Sequence, residues 1–263
     1  MRDDLHQLRP QKGQNQSPAV MNQRHEAHDS LDHFPTPPWA TRALCEQLAA
    51  RFPLHLLHVW EPACAEGHMA RPLGEYFDRV IATDVQDYGY GAMLHTHDFL
   101  MPFDLADPVD WIITNPPFKL GADFIRRALD LAEVGVAMFV RTSFIEGQGR
   151  YDTLFRDYPE AMVLPFTERV VLWKGILLDP DVPVTRWIEK RSEWVCEKPT
   201  SATSYCWLVW IKGSNQPTEL HRIAPCRVDL TRPGDYPPLP EHLMPREAAG
   251  DVSNQFEAME VAQ

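Results

Sequence analysis

Between residues 33 and 213 the chain alternates short apolar runs with amphipathic stretches. TRALCEQLAARF (41–52) reads as a helix and LLHVWEP (56–62) as a strand, followed by a turn containing Gly67. A helix is expected over about 68–77. RVIATDV (79–85) reads as a second strand, LHTHDFL (94–100) as a short third, and VDWIITNPP (109–117) as a fourth that stays apolar until Asn115. ADFIRRALDLAE (122–133) is amphipathic at helical spacing, VGVAMFVRTSF (134–144) is a fifth strand, and GQGRYDTLFRDYP (147–159) reads as a helix closed by proline. AMVLPFTERVVLW (161–173) and SYCWLVWIKG (204–213) add two strands with no helix-length apolar pattern between them. Strands alternating with helices predict an α/β fold, a mostly parallel sheet with helices on both faces. The last two strands are expected to pair antiparallel at one edge. Ligands of such a sheet bind beyond the carboxyl ends of its strands.

The two ends lack this pattern. Residues 1–30 are polar without apolar periodicity and are expected as a flexible arm. From Arg232 the chain is rich in proline, and after it come six acids against one arginine. Residues 233–263 are therefore expected as an extended acidic tail, leaving 31–232 as the folded domain. The whole chain has 263 residues, 44% of them hydrophobic, as in an ordinary soluble domain. It contains no apolar run of about 18 residues and no secretory h-region, so no membrane span is expected and the expected location is cytoplasmic. Five scattered cysteines without a CxxC pair argue against a disulfide framework or structural zinc. A net charge of −12 argues against a broad nucleic-acid coat, yet much of it sits in the tail, and a local basic cleft remains compatible.

The chemistry gathers where the strands end. The first strand delivers Glu61-Pro62-Ala63-Cys64-Ala65-Glu66-Gly67, the second Asp84, the third Asp98-Phe99. One acid after a strand is often only a helix cap or turn former. Three on consecutive strands suit a neutral-to-cationic ligand with a ribose, whose hydroxyls a carboxylate accepts. The fourth strand ends in Asn115-Pro116-Pro117-Phe118. Two prolines stop a strand because they lack N–H groups. They also leave carbonyl acceptors outside the ladder, beside an amide oxygen and an aromatic ring. That set suits holding a planar amine by its two hydrogens while a ring stacks on its heterocycle. Cys64 reads as a small buried residue rather than a nucleophile, and His68, His95 and His97 lack partners at ligand spacing, so no metal is expected.

FPTPPWATRAL (34–44), EPACAEG (61–67), IATD (81–84), HDFL (97–100) and TNPPF (114–118) together resemble the class I S-adenosylmethionine-dependent DNA adenine-N6 methyltransferases, close to solitary phage or prophage enzymes. The resemblance implies a Rossmann-like methyltransferase sheet, mostly parallel and seven-stranded with an antiparallel edge strand, and S-adenosylmethionine as cofactor. Position by position, it implies that Thr36 and Pro37 line the cofactor's methionine end and Glu61 binds its amino group. Ala63 and Gly67 form the close-approach loop. Asp84 holds the ribose, and Asp98 with Phe99 the adenine. Asn115, Pro116, Pro117 and Phe118 bind the target base, an adenine flipped from double-stranded DNA. The family pattern often has glycine where this chain has Ala65, and alanine fits there with a negative φ. The motif order resembles a group that carries its recognition domain after the catalytic one. Here a Pro-rich tail follows, so target recognition is expected from 174–203, between the last two strands. Lys119, Arg141 and Arg150 are expected as phosphate contacts. Two alternatives stay open: the same chemistry on an RNA base or a protein glutamine amide, and a non-catalytic nucleic-acid-binding homologue.

Overall fold

The computed structural model of the chain describes residues 32–103, 105, 107–188 and 192–245. The expected arm at 1–30 and the later part of the expected tail lie outside the described residues.

Helix α1 spans Pro38–Ala49, beginning three residues before the sequence pattern suggests. Pro38 explains the early start: its fixed φ suits the first helical position, where a missing N–H costs nothing. Strand β1 (His58–Glu61) is followed by the four-residue helix α2 (Ala70–Leu73), by β2 (Arg79–Asp84) and by β3 (His95–Thr96). The helix expected over 68–77 contracts to α2 because Pro72 sits inside it and Gly74 closes it. Strand β4 (Val109–Thr114) leads to α3 (Gly121–Leu131), β5 (Ala132–Arg141) and the short α4 (Gln148–Arg150). A single π-helical turn, Tyr151–Phe155, completes the stretch read as one helix. Strands β6 (Met162–Pro165), β7 (Val184–Ile188), β8 (Glu193–Glu197), β9 (Tyr205–Ile211) and β10 (Glu219–Leu220) follow, with α5 at Arg227–Leu230.

Eight strands form one sheet in the order β10-β6-β9-β5-β4-β1-β2-β3, and β7 pairs with β8 as a separate ribbon. All sheet pairings are parallel except the two made by β9. Two details differ from the expectation. The sheet has eight strands rather than seven, and the antiparallel strand lies between β5 and β6 rather than at an edge. The physical reason is in β9 itself: Tyr205 to Trp210 are all buried, and so continuous an apolar run needs both sheet faces covered and both edges paired.

Side-chain alternation divides the core into two layers. Trp111 and Ile113 of β4 and Trp207 of β9 join α1's Trp39, Leu44 and Leu48 on one face. Ile112, Leu208 and Trp210 join α3's Phe124, Ile125 and Ala128 on the other. Two of the buried indoles keep their hydrogen bonds: Trp60 donates to Thr83 Oγ1 (2.9 Å) and Trp207 to the Ala40 carbonyl (3.0 Å).

The strand order reverses between β1 and β4, which lie side by side with their successors running outward in opposite directions. That point is where an open α/β sheet leaves a crevice at its carboxyl edge. Glu61 and Thr114 end the two strands that border it.

Candidate active site

Glu61 is buried at the end of β1. Its carboxyl accepts the Ala70 N–H, while Oε2 has no partner within the protein. Burial, then the charge of Asp84, push its pKa well above the usual carboxylate range. Asp84, ending β2, accepts the Ala65 N–H at 2.9 Å and the Gln86 N–H at 3.1 Å. Burial nevertheless raises its pKa as well. Two carboxyls short of compensation therefore border one loop.

That loop folds tightly. Gly67 holds φ at +78°, and a Cβ there would lie 2.5 Å from the Tyr90 ring, so only glycine fits. Ala65 corrects an expectation: its φ is +43°, the left-handed region, not the negative value that alanine prefers. The N–H it offers to Asp84 explains why that conformation is held. Ala63 packs against the core beside it. Burial, then Glu61 and Asp84, raise the Cys64 thiol's pKa, so it stays protonated and is no nucleophile.

Asp98 is exposed after β3, with Oδ1 accepting the Leu100 N–H (3.0 Å). Phe99, only 2% exposed, packs against Trp60 (5.1 Å) and Phe124 (4.9 Å).

At the end of β4 the Asn115 amide is pinned. Its Nδ2 donates to the Phe34 carbonyl (2.9 Å) and to Thr36 Oγ1 (3.0 Å), while Oδ1 is buried with no partner in the protein. Thr36, expected at the cofactor's methionine end, has its hydroxyl against Asn115, and Pro37 caps α1. The Phe118 N–H donates to Asp32 Oδ2 (3.0 Å), and its ring lies 5.1 Å from Phe34. A cavity of about 200 Å³ opens beside this turn, lined by Pro116, Phe118, Val140, Arg141, Phe144 and Arg150. Pro117 stays half-buried and outside that lining.

Of the three expected phosphate contacts, Lys119 is exposed. Arg141 places its guanidinium 4.2 Å over the Phe118 ring. Arg150, on the cavity lining, donates to the carbonyls of Phe144 (2.7 Å), Ser143 and Glu146, fixing the turn that walls the cavity.

Sequence reasoning missed the segment 32–36 as a strap. Asp32 holds Phe118, Phe34 and Thr36 hold Asn115, and His33 Nε2 lies 2.8 Å from Glu66 Oε2 with its ring 4.6 Å from Tyr88. Burial, the largest single influence, disfavours the Glu66 charge, but the hydrogen bonds from His33 and from its own backbone N–H, with the charges of His33 and His68, together outweigh it and lower the pKa. The strap thereby joins the β1 loop to the β4 turn. Phe34 to Thr36 lie in the FPTPP motif, but nothing in that motif indicates that its backbone and hydroxyl would hold Asn115, and Asp32 and His33 precede it. Among the described residues no three metal-ligating side chains gather.

No protein-family model matches the chain, and no curated protein matches it significantly. Solved structures do. A chain of Listeria monocytogenes, described provisionally as a class I S-adenosylmethionine-dependent methyltransferase, is 14% identical with a TM-score of 0.50, over 78% of this chain and 70% of that one. The methyltransferase subunit of a type I restriction-modification system from Streptococcus thermophilus is 9% identical with a TM-score of 0.52. The match covers 89% of this chain and 55% of that one, so the chain spans about half the subunit's length. At these identities the likeness is one of fold: the chain has the Rossmann-like fold of the class I S-adenosylmethionine-dependent methyltransferases.

Proposed function

We propose that the chain binds S-adenosylmethionine at the ends of β1 and β2 and transfers its methyl group to the exocyclic N6 amine of adenine in DNA. The observation that carries this reading is the Asn115 amide. Its nitrogen is saturated by two acceptors, so its orientation is fixed and its buried oxygen is left without a partner, one residue before Pro116, which with Phe118 lines the cavity.

The residues at β1 and β2 fit the cofactor. The unpaired Glu61 oxygen and the raised pKa values of Glu61 and Asp84 call for a cation, which the ligand's amino group and sulfonium supply. Asp84 is also the carboxylate after the second strand, suited to ribose hydroxyls. S-adenosylmethionine would contribute an activated methyl group; the chain's own residues do the rest. Adenine N6 is a weak nucleophile because its lone pair is delocalised into the ring. Accepting its two N–H bonds at Asn115 Oδ1 and the Pro116 carbonyl favours a pyramidal nitrogen and stabilises the positive charge that develops there. Phe118 supports the flipped base by stacking, replacing part of what it loses on leaving the duplex. No base is needed before transfer, since the proton leaves afterwards. The neighbour from Streptococcus thermophilus belongs to a restriction-modification system, which accords with DNA as the substrate.

The test separates binding from chemistry. Asn115→Ala is expected to lower the methylation rate by about 100- to 1000-fold, as loss of a preorganised transition-state hydrogen bond does. Calorimetry should find S-adenosylmethionine binding unchanged. An Asn115→Ala variant of full activity would refute the assignment.

A further inference from the structure

The segment between β6 and β9 leaves and rejoins the sheet at one edge. β6 and β5 both run antiparallel to β9, so β6 ends, and β9 begins, at the edge where Glu61 and Asn115 emerge. Arg141, on the cavity wall, lies directly opposite Tyr205, the first residue of β9. The root of the segment is tied to the site: the Gly175 N–H donates to the His33 carbonyl (2.8 Å), and the preceding residue, Asp32, holds Phe118.

From this root the chain runs into the β7–β8 ribbon, whose first residues, Val184 and Thr185, are buried. Its Arg186 face turns toward the domain, with the guanidinium 5.7 Å from the Trp173 ring. Alternation puts Trp187 on the opposite face. There it meets Trp194 in register across the ribbon, ring centroids 5.6 Å apart. The two indoles are 46% and 49% exposed, although tryptophan is ordinarily among the more buried side chains. Residues 174–203 hold five Lys or Arg against five Asp or Glu, so the segment is neutral in a chain of net charge −12 and a polyanion meets no net repulsion from it.

We infer that the β7–β8 ribbon is the element that contacts the duplex, seated in the major groove with Trp187 and Trp194 against the bases. The inference rests on the proposed DNA substrate: a duplex that delivers a base to the Pro116–Phe118 cavity must continue along this edge. A two-stranded ribbon has the width of the major groove, where indole rings meet base edges and the apolar thymine methyl groups.

The experiment measures a fluorescently labelled duplex of random sequence by anisotropy, and S-adenosylmethionine by calorimetry, on the full chain. Trp187→Ala/Trp194→Ala is expected to weaken duplex binding at least tenfold with cofactor binding unchanged, and Trp187→Phe/Trp194→Phe to recover most of the loss. Unchanged duplex affinity in the alanine variant overturns the inference. So does a variant whose only change is a smaller assembly by light scattering, which assigns the surface to a protein contact. Wild-type chain that binds the cofactor but no duplex overturns it too. Failure to bind S-adenosylmethionine rejects the cofactor reading instead, and the anisotropy arm then decides the ribbon by itself.

Discussion

Ala65 holds a φ of +43° in the loop after β1. The left-handed region costs a non-glycine residue about 1–2 kcal/mol. Glycine would relieve this but lose about 0.4–1 kcal/mol through the extra freedom of its unfolded chain. Ala65→Gly is therefore expected to stabilise the protein by about 0.5–1 kcal/mol, read as a higher urea midpoint at unchanged slope. A lower midpoint would mean the loop relaxes around alanine. Glu61 and Asp84 yield a pH prediction. Burial raises both, and mutual repulsion adds to it at Glu61, so the free protein keeps these protons to a higher pH than ordinary carboxyls do. A cationic ligand binds the ionised forms. Affinity for S-adenosylmethionine should thus rise with pH from the ordinary carboxylate range through the raised values, then level off. Glu61→Gln should weaken binding and flatten the rise in calorimetric titrations; a wild-type affinity that does not vary with pH contradicts it.

At the scale of elements, Asn115 depends on a strap that is neither helix nor strand. Thr36→Val removes one of the two acceptors that orient its amide while keeping shape. One net hydrogen bond is worth about 0.5–1.5 kcal/mol, so turnover should fall roughly tenfold or less with cofactor affinity unchanged. A loss as large as that of Asn115→Ala would mean Thr36 touches the substrate itself. The strands carrying the site were legible because each is a short, mostly apolar run that gives way to a polar residue: β1 at Glu61, β2 at Asp84, β4 before Asn115. The strap was not, because its bonds reach 79–86 residues along the chain and no local pattern encodes such contacts. The packing of Phe99 on Trp60 was illegible for a related reason: the two rings meet only once the sheet has formed. The run at 161–173 ends as a strand at Pro165, opposite Cys206, because β9 itself begins at Tyr205 and offers one residue more to pair with.

At the scale of the molecule, Arg42 closes the fold. On α1 and only 3% exposed, it donates to Glu75 (2.7 Å), Asp235 (2.6 Å) and the Leu230 carbonyl (2.7 Å). The first residues of the expected tail are thus anchored at Asp235, and Tyr236 packs on the core. Arg42→Ala leaves the Asp235 carboxylate, its side chain 8% exposed, without its cationic partner, while Glu75 keeps Arg232 (2.8 Å), and should destabilise by about 3–5 kcal/mol in urea unfolding; a cost under about 1 kcal/mol would mean the ion pairs are dispensable. Topology brings the carboxyl-edge residues together, and the same edge receives the cavity and the ribbon. The most direct measurement is nucleoside mass spectrometry on DNA and RNA from a methylation-free host expressing the wild type or Asn115→Ala. The expected result is N6-methyladenine in the DNA of wild-type cells alone. Methylation confined to RNA, equal levels in the variant, or none from a protein that binds S-adenosylmethionine would contradict it.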